Sequence, residues 1–291
     1  MLREILEQLF EFAAKDIPSN QILEAKKAYQ KETGEIYEDD NSYNSRMALF
    51  LEWYLFDNYM VEKAQTPLET LIQENPDAWD SDKLEIYKSL TKSIQGLFIA
   101  KKVKKETVKV INLFTDETYL VQEKDSRLIF TKNDIFQGRL IFFQEQFHFT
   151  GSFCFHPEKT HKYVKQEVKI INKAQAGDRK DLVRIKKKQL NENKSLKNKK
   201  AEIEKLNGKI NNTEAENKIT KLKQKLSLLN EEKNSFSKAI QELESSEYTL
   251  EHHKLRIEGN KQINKLINKL AYMNLKLERS RQIEISDIYK N

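Results

Sequence analysis

The stretch FHFTGSFCFHPEKTH, Phe147 to His161, gathers the single cysteine of the chain and three of its five histidines. Imidazole and thiolate are the usual zinc ligands, and a Cys–His pair is also a familiar activated nucleophile. Spacing separates these readings. In a strand, successive side chains point to opposite faces. Phe147, Phe149, Phe153 and Phe155 therefore share one face, and His148, Thr150, Ser152, Cys154 and His156 share the other. His148, Cys154 and His156 stand one ligand short of a tetrahedral set, and no motif elsewhere supplies the fourth. The phenylalanine ladder explains the stretch as a core strand, so no metal and no catalytic residue is expected here. The face opposite the phenylalanines is expected to be a contact surface.

Two acidic features also carry potential chemistry. The run EIYEDDNSYNSR brings Glu35, Glu38, Asp39 and Asp40 together, as a divalent cation site would require. The same residues precede a helical pattern, where carboxylates favour the helix N-terminus. Glu52 interrupts the apolar run MALFLEWYLF, and a buried carboxylate needs a partner. Both are read as structural. The chain has no phosphate-binding glycine loop, no dinucleotide fingerprint, and no HExxH, GxSxG or CxxC motif. Neither a cofactor nor an enzymatic activity is expected.

The strongest positive feature is the basic run RKDLVRIKKKQLNENKSLKNKK, Arg179 to Lys200. Lys186, Lys187, Lys188, Lys199 and Lys200 are candidate phosphate contacts, giving salt-sensitive binding that does not read sequence. The run has no aromatic residue to stack on bases and few arginines for bidentate reading. Lysines on a coiled-coil exterior are more often a solvated helix face or a contact with another protein, and that is the favoured reading of the run.

The elements that would position these residues follow from composition and periodicity. The chain has 291 residues, 33% of them charged, with 7 glycines and 4 prolines. Such a composition suits long helices. Residues 1–95 carry 10 Lys/Arg against 19 Asp/Glu, whereas residues 169–291 carry 29 against 17. An acidic head thus precedes a basic tail, although the total is only +6. A lone cysteine excludes an intrachain disulfide framework and fits a reducing, cytoplasmic setting. The charged stretch MLREILEQLFEFAAKD is not expected to be a signal peptide. No apolar run approaches the roughly 20 residues of a membrane span, so no membrane partner is expected.

In residues 1–95, Leu2, Ile5, Leu6, Leu9, Phe12 and Ala13 recur at helical spacing. A second helix carries Ile22, Ala25 and Tyr29 and should stop at Gly34 in a left-handed cap. SYNSRMALFLEWYLFDNYM is apolar nearly all round and belongs inside a core. Thr66, Pro67 and Glu69 spell a capping box. A last helix is expected from Asp82 to Gln95. Residues 96–156 change to a two-residue period: GLFIAKKVKK, TVKVINLF, ETYLVQEK, DIFQGRLIFF and QFHFTGSFCF read as five strands of a small antiparallel β-barrel, with bulges at Gly138 and Gly151.

From Pro157 the pattern is long helix with heptad seams. Leu182, Ile185, Leu196, Ile203, Leu206 and Ile210 fall in one series; Ile219, Leu222, Leu226, Leu229, Phe236, Ile240, Leu243 and Leu250 fall in a second; Ile263, Leu266, Leu270, Met273 and Leu277 form a third. The phase breaks near Gly208, Asn211 and Asn212, which suits the turn of a helical hairpin. Residues 157–281 are therefore expected to form an antiparallel hairpin turning near Asn211. Its return would let Ile283, Ile285 and Ile288 dock on the barrel.

The fold class expected is α+β: an acidic helical domain (1–95), a small five-stranded antiparallel β-barrel (96–156) and a basic arm (157–291), a long antiparallel coiled-coil hairpin. The blocks TGEIYEDDNSYNSRMALFLEWYLFD, TPLETLI and TDETYLVQEKDSRLIFTKNDIFQGRLIFF resemble an uncharacterised family of bacterial proteins in which a helical segment precedes a small β-barrel. The middle part is distantly similar to barrel segments beside SEC-C-type modules, without their cysteines. The resemblance implies no activity, cofactor or site residue. The function expected is that of a non-enzymatic interaction or scaffold protein whose arm presents or spaces the head to another protein. The alternative is nucleic-acid binding through the lysine-rich arm.

Overall fold

The computed structural model describes residues 2–60, 65–124, 126–280 and 282–290. The chain divides into two compact units, Met1–Lys173 together with Asn260–Asn291, and Ala174–Gly259. These limits differ from the boundaries expected at 95 and 156. The first and last parts of the anticipated arm belong to the head unit, because they supply its core.

The head begins with helices α1 (Leu2–Asp16), α2 (Ser19–Thr33), α3 (Tyr43–Asp57), α4 (Pro67–Glu74) and α5 (Ser81–Leu90). Their apolar stripes meet in one cluster with Leu9, Tyr29, Phe50, Leu55, Leu68 and Leu90 at its centre. α3 lies within it, with buried residues around much of its circumference, as an all-round apolar helix requires. The Thr66–Glu69 capping box forms: Thr66 Oγ1 accepts from Glu69 N at 3.3 Å, and Thr66 N donates to Glu69 Oε2 at 2.9 Å. α5 ends at Leu90, earlier than expected, because Ile94 and Gln95 already pair in the first strand.

The strands are β1 (Ile94–Val103), β2 (Thr107–Asn112), β3 (Thr118–Gln122), β4 (Ile135–Phe143), β5 (Gln146–Phe149) and β6 (Cys154–His156), with the short α6 (Ser126–Ile129) between β3 and β4. The sheet of the described residues is mixed and six-stranded, which corrects the expectation of five antiparallel strands. Hydrogen-bonded pairs run β1–β2–β3–β5–β4 and back to β1. A circuit of five strands cannot alternate direction all the way round, so one pair must be parallel. That pair is β3–β5, joined at Val121–Phe147 and Gln122–His148. QFHFTGSFCF, read as one strand, is two. Both β5 and β6 pair antiparallel with β4, but Gly151 at φ +97° breaks the ladder between them. Gly138 keeps regular pairing opposite Gly96, and the register shift lies at Ala100–Lys102.

β4 is the hub of the head. Its even positions Phe136 and Leu140 point into the sheet's inner cluster with Phe98, Val110, Val121 and Phe149. Its odd positions point outward, Ile141 and Phe143 into the helical cluster and Ile135 into a third. This third cluster joins Leu97 and Ile99 to Val164 and Val168 of α7 (His161–Asn211) and to Leu266, Ile267, Leu270 and Met273 of α9 (Asn260–Arg279). The third apolar series, read as an arm seam, thus covers the sheet. Ile285 and Ile288 of α10 (Ile285–Ile288) pack there as expected, but Ile283 stays 49% exposed.

The second unit contains the remainder of α7, helix α8 (Glu216–Tyr248) and a wide-turn π-helical segment, Thr249–Gly259. The chain reverses at residues 212–215, just beyond the expected position, and Gly208 remains helical. Lys199 Nζ lies 2.7 Å from Glu232 Oε2, and Lys186 Nζ lies 3.1 Å from Glu251 Oε1. Both pairs join positions roughly equidistant from the reversal, as antiparallel helices do. Positions of the two expected seams are buried or half-buried, Leu206, Leu229 and Ile240 most fully. Arg281, taken as the end of the arm, lies outside the described residues.

Candidate functional site

The face of β6 opposite its phenylalanine, expected to be a contact surface, meets another element of the same chain. α9 covers it, because the apolar residues of α9 need the sheet to bury them. The covered face helps enclose a cavity of about 190 Å³ in the head. Each wall follows from helical spacing. α2 contributes Tyr29 and Thr33, four residues apart. α3 and its approach contribute Ser42, Ser45, Arg46 and Leu49. α9 contributes Ala271, Asn274, Leu275 and Glu278, and Phe153, Cys154 and Phe155 close the sheet side.

The close approach of α9 depends on Gly34. This residue ends α2 with φ 79° and ψ 156°. Only glycine adopts that region readily. It is not the left-handed cap expected, since ψ is extended. A Cβ here would lie 2.7 Å from the Tyr272 ring and 3.0 Å from Leu275. α9 is further tied down by Asn268 Nδ2 donating to Glu32 Oε2 at 2.8 Å. Ser42 donates to Glu278 through both its backbone nitrogen (3.2 Å) and its hydroxyl (2.7 Å).

Arg46 forms the charged part of the cavity wall. Its Nη2 donates to Thr33 O at 2.7 Å and Gly34 O at 3.1 Å, and its Nη1 to Glu35 O at 3.2 Å. These carbonyls lie at and beyond the end of α2, where acceptors lack helical partners. A guanidinium has five N–H donors. Three are used in this way, which leaves Nε–H and one Nη1–H without an acceptor at hydrogen-bond distance among the described residues. Burial pulls the Arg46 pKa down, but a guanidinium remains charged. Asp40 Oδ2 lies 3.7 Å from Arg46 and also accepts from Arg279 Nη2 at 2.6 Å. The Arg279 hydrogen bond holds the Asp40 carboxyl below its usual range. The acidic run thus anchors the end of α9, and two cations share its one buried carboxylate.

Two further groups define the chemistry. Cys154 is pushed up to about 12 by burial, with Arg46 opposing and Glu278 reinforcing. It is a thiol at neutral pH and lacks the thiolate a nucleophile or metal ligand needs. Tyr29 is 3% exposed and lines the cavity, and among the described residues its hydroxyl has no hydrogen-bond partner.

The other residues singled out from sequence lie elsewhere. His148 is on β5, apart from Cys154 and His156 on β6. Among the described residues no group of three or more His, Cys, Asp or Glu is placed to hold a metal ion. Glu52 finds Arg139, whose Nε is 3.4 Å away. Arg139 was legible as the one charge inside IFQGRLIFF, an apolar run that otherwise mirrors the run around Glu52. Of the five arm lysines, Lys186 is held by Glu247 and Glu251, and Lys199 by Glu202 and Glu232. Lys187, Lys188 and Lys200 are exposed and have no ion pair among the described residues. The described helices include none long and apolar enough to cross a membrane.

Residues 1–189 match the model described as a family of unknown function (DUF7986). No curated protein matches the chain, and neither does any solved structure.

Proposed function

The chain belongs to this family of unknown function, and we propose that it is a non-enzymatic interaction protein whose helical arm receives a partner protein. The observation that carries this reading is a pair of exposed apolar residues on α7. Val183 is 68% exposed and Leu190 is 72% exposed. They lie seven residues apart, which places them on one helix face. They are not part of the seam facing α8, where apolar positions are buried or half-buried. Lys187 lies between them on the same face. An apolar stripe bordered by lysines suits an amphipathic partner helix with acidic flanks. The arm then works as a coiled coil with one occupied seam and one vacant stripe.

The test compares the intact chain with a Val183→Ser/Leu190→Ser variant as bait in native lysate treated with nuclease. A protein retained by the former and lost by the latter supports the reading. Identical capture by both baits overturns it.

Nucleic acid is the second reading, favoured by the exposed Lys187, Lys188 and Lys200. Binding through them would be salt-sensitive and indifferent to sequence. Replacing all three by Gln is expected to flatten the salt slope by up to about 0.9 per lost contact on duplex DNA. Absence of retention on duplex DNA or RNA at low salt would end this reading.

A further inference from the structure

The hairpin of β1 and β2, KKVKKETVK from Lys101 to Lys109, holds five lysines against one glutamate. Lys102 and Lys109 are directly opposite in the antiparallel pairing, so their side chains leave the same face of the sheet. Both are exposed, and neither side chain has an ion pair or hydrogen bond among the described residues. Like charges set opposite one another destabilise a sheet, and an anion lying across them relieves the repulsion. Lys104, whose N donates to Thr107 O at 2.8 Å, continues the same face two residues on. Lys105 is exposed at the turn, and the register shift at Ala100–Lys102 leaves Lys101 as a further exposed cation beside them. Glu106 and Glu123 sit at the turn end of the hairpin, where Glu123 N donates to Glu106 O at 2.9 Å. β3, Thr118–Gln122, carries no charge. No carboxylate of β1, β2 or β3 therefore stands in the row of Lys102 and Lys109. We infer that this face of the head binds the phosphate backbone of single-stranded nucleic acid, at a site separate from the arm lysines.

The row itself chooses the occupant. Leu120 on β3 is directly opposite Lys109 and is 59% exposed. Lys102, Lys109 and Leu120 thus cross three strands, a width of about 10 Å. An apolar side chain beside cations suits a strand whose bases are unpaired and can lie on it. A duplex hides its bases and is too stiff to follow a rounded sheet. An acidic peptide fits less well, because β2 is already paired along both edges and cannot accept a further strand. In the row on the other side, Ile99 and Ile111 are covered by the third apolar cluster, which ends the open face there. Lysines without arginine or aromatic neighbours give contacts that do not read sequence.

Anisotropy of a labelled oligothymidylate, titrated with the full chain at about 50 mM salt, tests the inference. Lys102→Gln/Lys109→Gln is expected to weaken binding on the order of tenfold and to lower the salt slope by about 1.4, from two contacts on a single strand. Both positions are exposed, so the core is untouched. Lys102→Arg/Lys109→Arg keeps the charge and is expected to keep the slope. Polyglutamate is expected to compete far less well than unlabelled oligothymidylate. Absence of salt-dependent binding, full affinity in the Gln pair, or equal competition by polyglutamate would each overturn the inference. Binding lost only in Lys187→Gln/Lys188→Gln/Lys200→Gln would overturn it too, by placing the contacts on the arm.

Discussion

Arg139 Nε sits 3.4 Å from Glu52 Oε2, with both side chains buried. The same guanidinium donates to Asp57, to Ser93 Oγ at 2.9 Å and to Gln95 Oε1 at 2.9 Å. It lies 4.8 Å from the centre of the Phe56 ring. α3 and β4 are thus joined by one cation placed between two carboxylates. Burial raises the pKa of both acids, and Arg139 opposes that rise. Arg139→Met would leave two buried carboxylates without a cation, and a loss of about 3–5 kcal/mol is expected. Urea denaturation measures it. A loss below about 1 kcal/mol would show that the pairs contribute little net stability.

Gly34→Ala is expected to destabilise the head more than a surface substitution does. The positive φ disfavours any L-residue. The new methyl group would also press on the Tyr272 ring at 2.7 Å. A loss on the order of 2 kcal/mol is expected from strain alone. The companion variant Gly34→Ala/Tyr272→Ala removes the clash while leaving the backbone cost, so the thermal midpoints of the two variants separate the contributions.

His156 gives the stability a pH dependence. It is 5% exposed, its ring nitrogens have no hydrogen-bond partner among the described residues, and burial, with His161 adding to it, pulls its pKa from 6.5 to about 4. A depressed folded pKa means that the unfolded chain takes up the proton first. The stabilising contribution is complete above pH 6.5 and is lost as pH falls towards 4, by on the order of 3 kcal/mol. Denaturation midpoints of the chain and of His156→Phe, measured from pH 7 to pH 4, should diverge over that window. Parallel curves would contradict the assignment.

The reversal at residues 212–215 can be tested by cross-linking. With Cys154 replaced by Ser, cysteines at positions 199 and 232 replace an ion pair whose charged atoms are 2.7 Å apart. A short bismaleimide, which spans more than a disulfide, should link the two thiols within one chain, visible as altered migration on a denaturing gel. Bridging only between chains would instead place α7 and α8 in different molecules.

Local patterns decided much of this protein. The stripe of α1, the capping box at Thr66, the existence of a strand region near residue 95 (though not its start at Ile94) and the seams around Leu206 and Leu229 are readable because each follows from neighbours a few residues apart. The break at Asn211–Asn212 marked the reversal for the same reason. Tertiary structure decided the rest. The parallel β3–β5 pair follows from closing an odd circuit of strands, which no single strand records. The series Ile263–Leu277 has the same period whether it faces another helix or a sheet; only the position of the uncovered sheet assigned it to the head. The cavity belongs to this second class. Tyr29, Arg46, Cys154 and Asn274 are scattered over some 245 residues and carry no motif. They meet because α9 must bury its apolar face against the sheet.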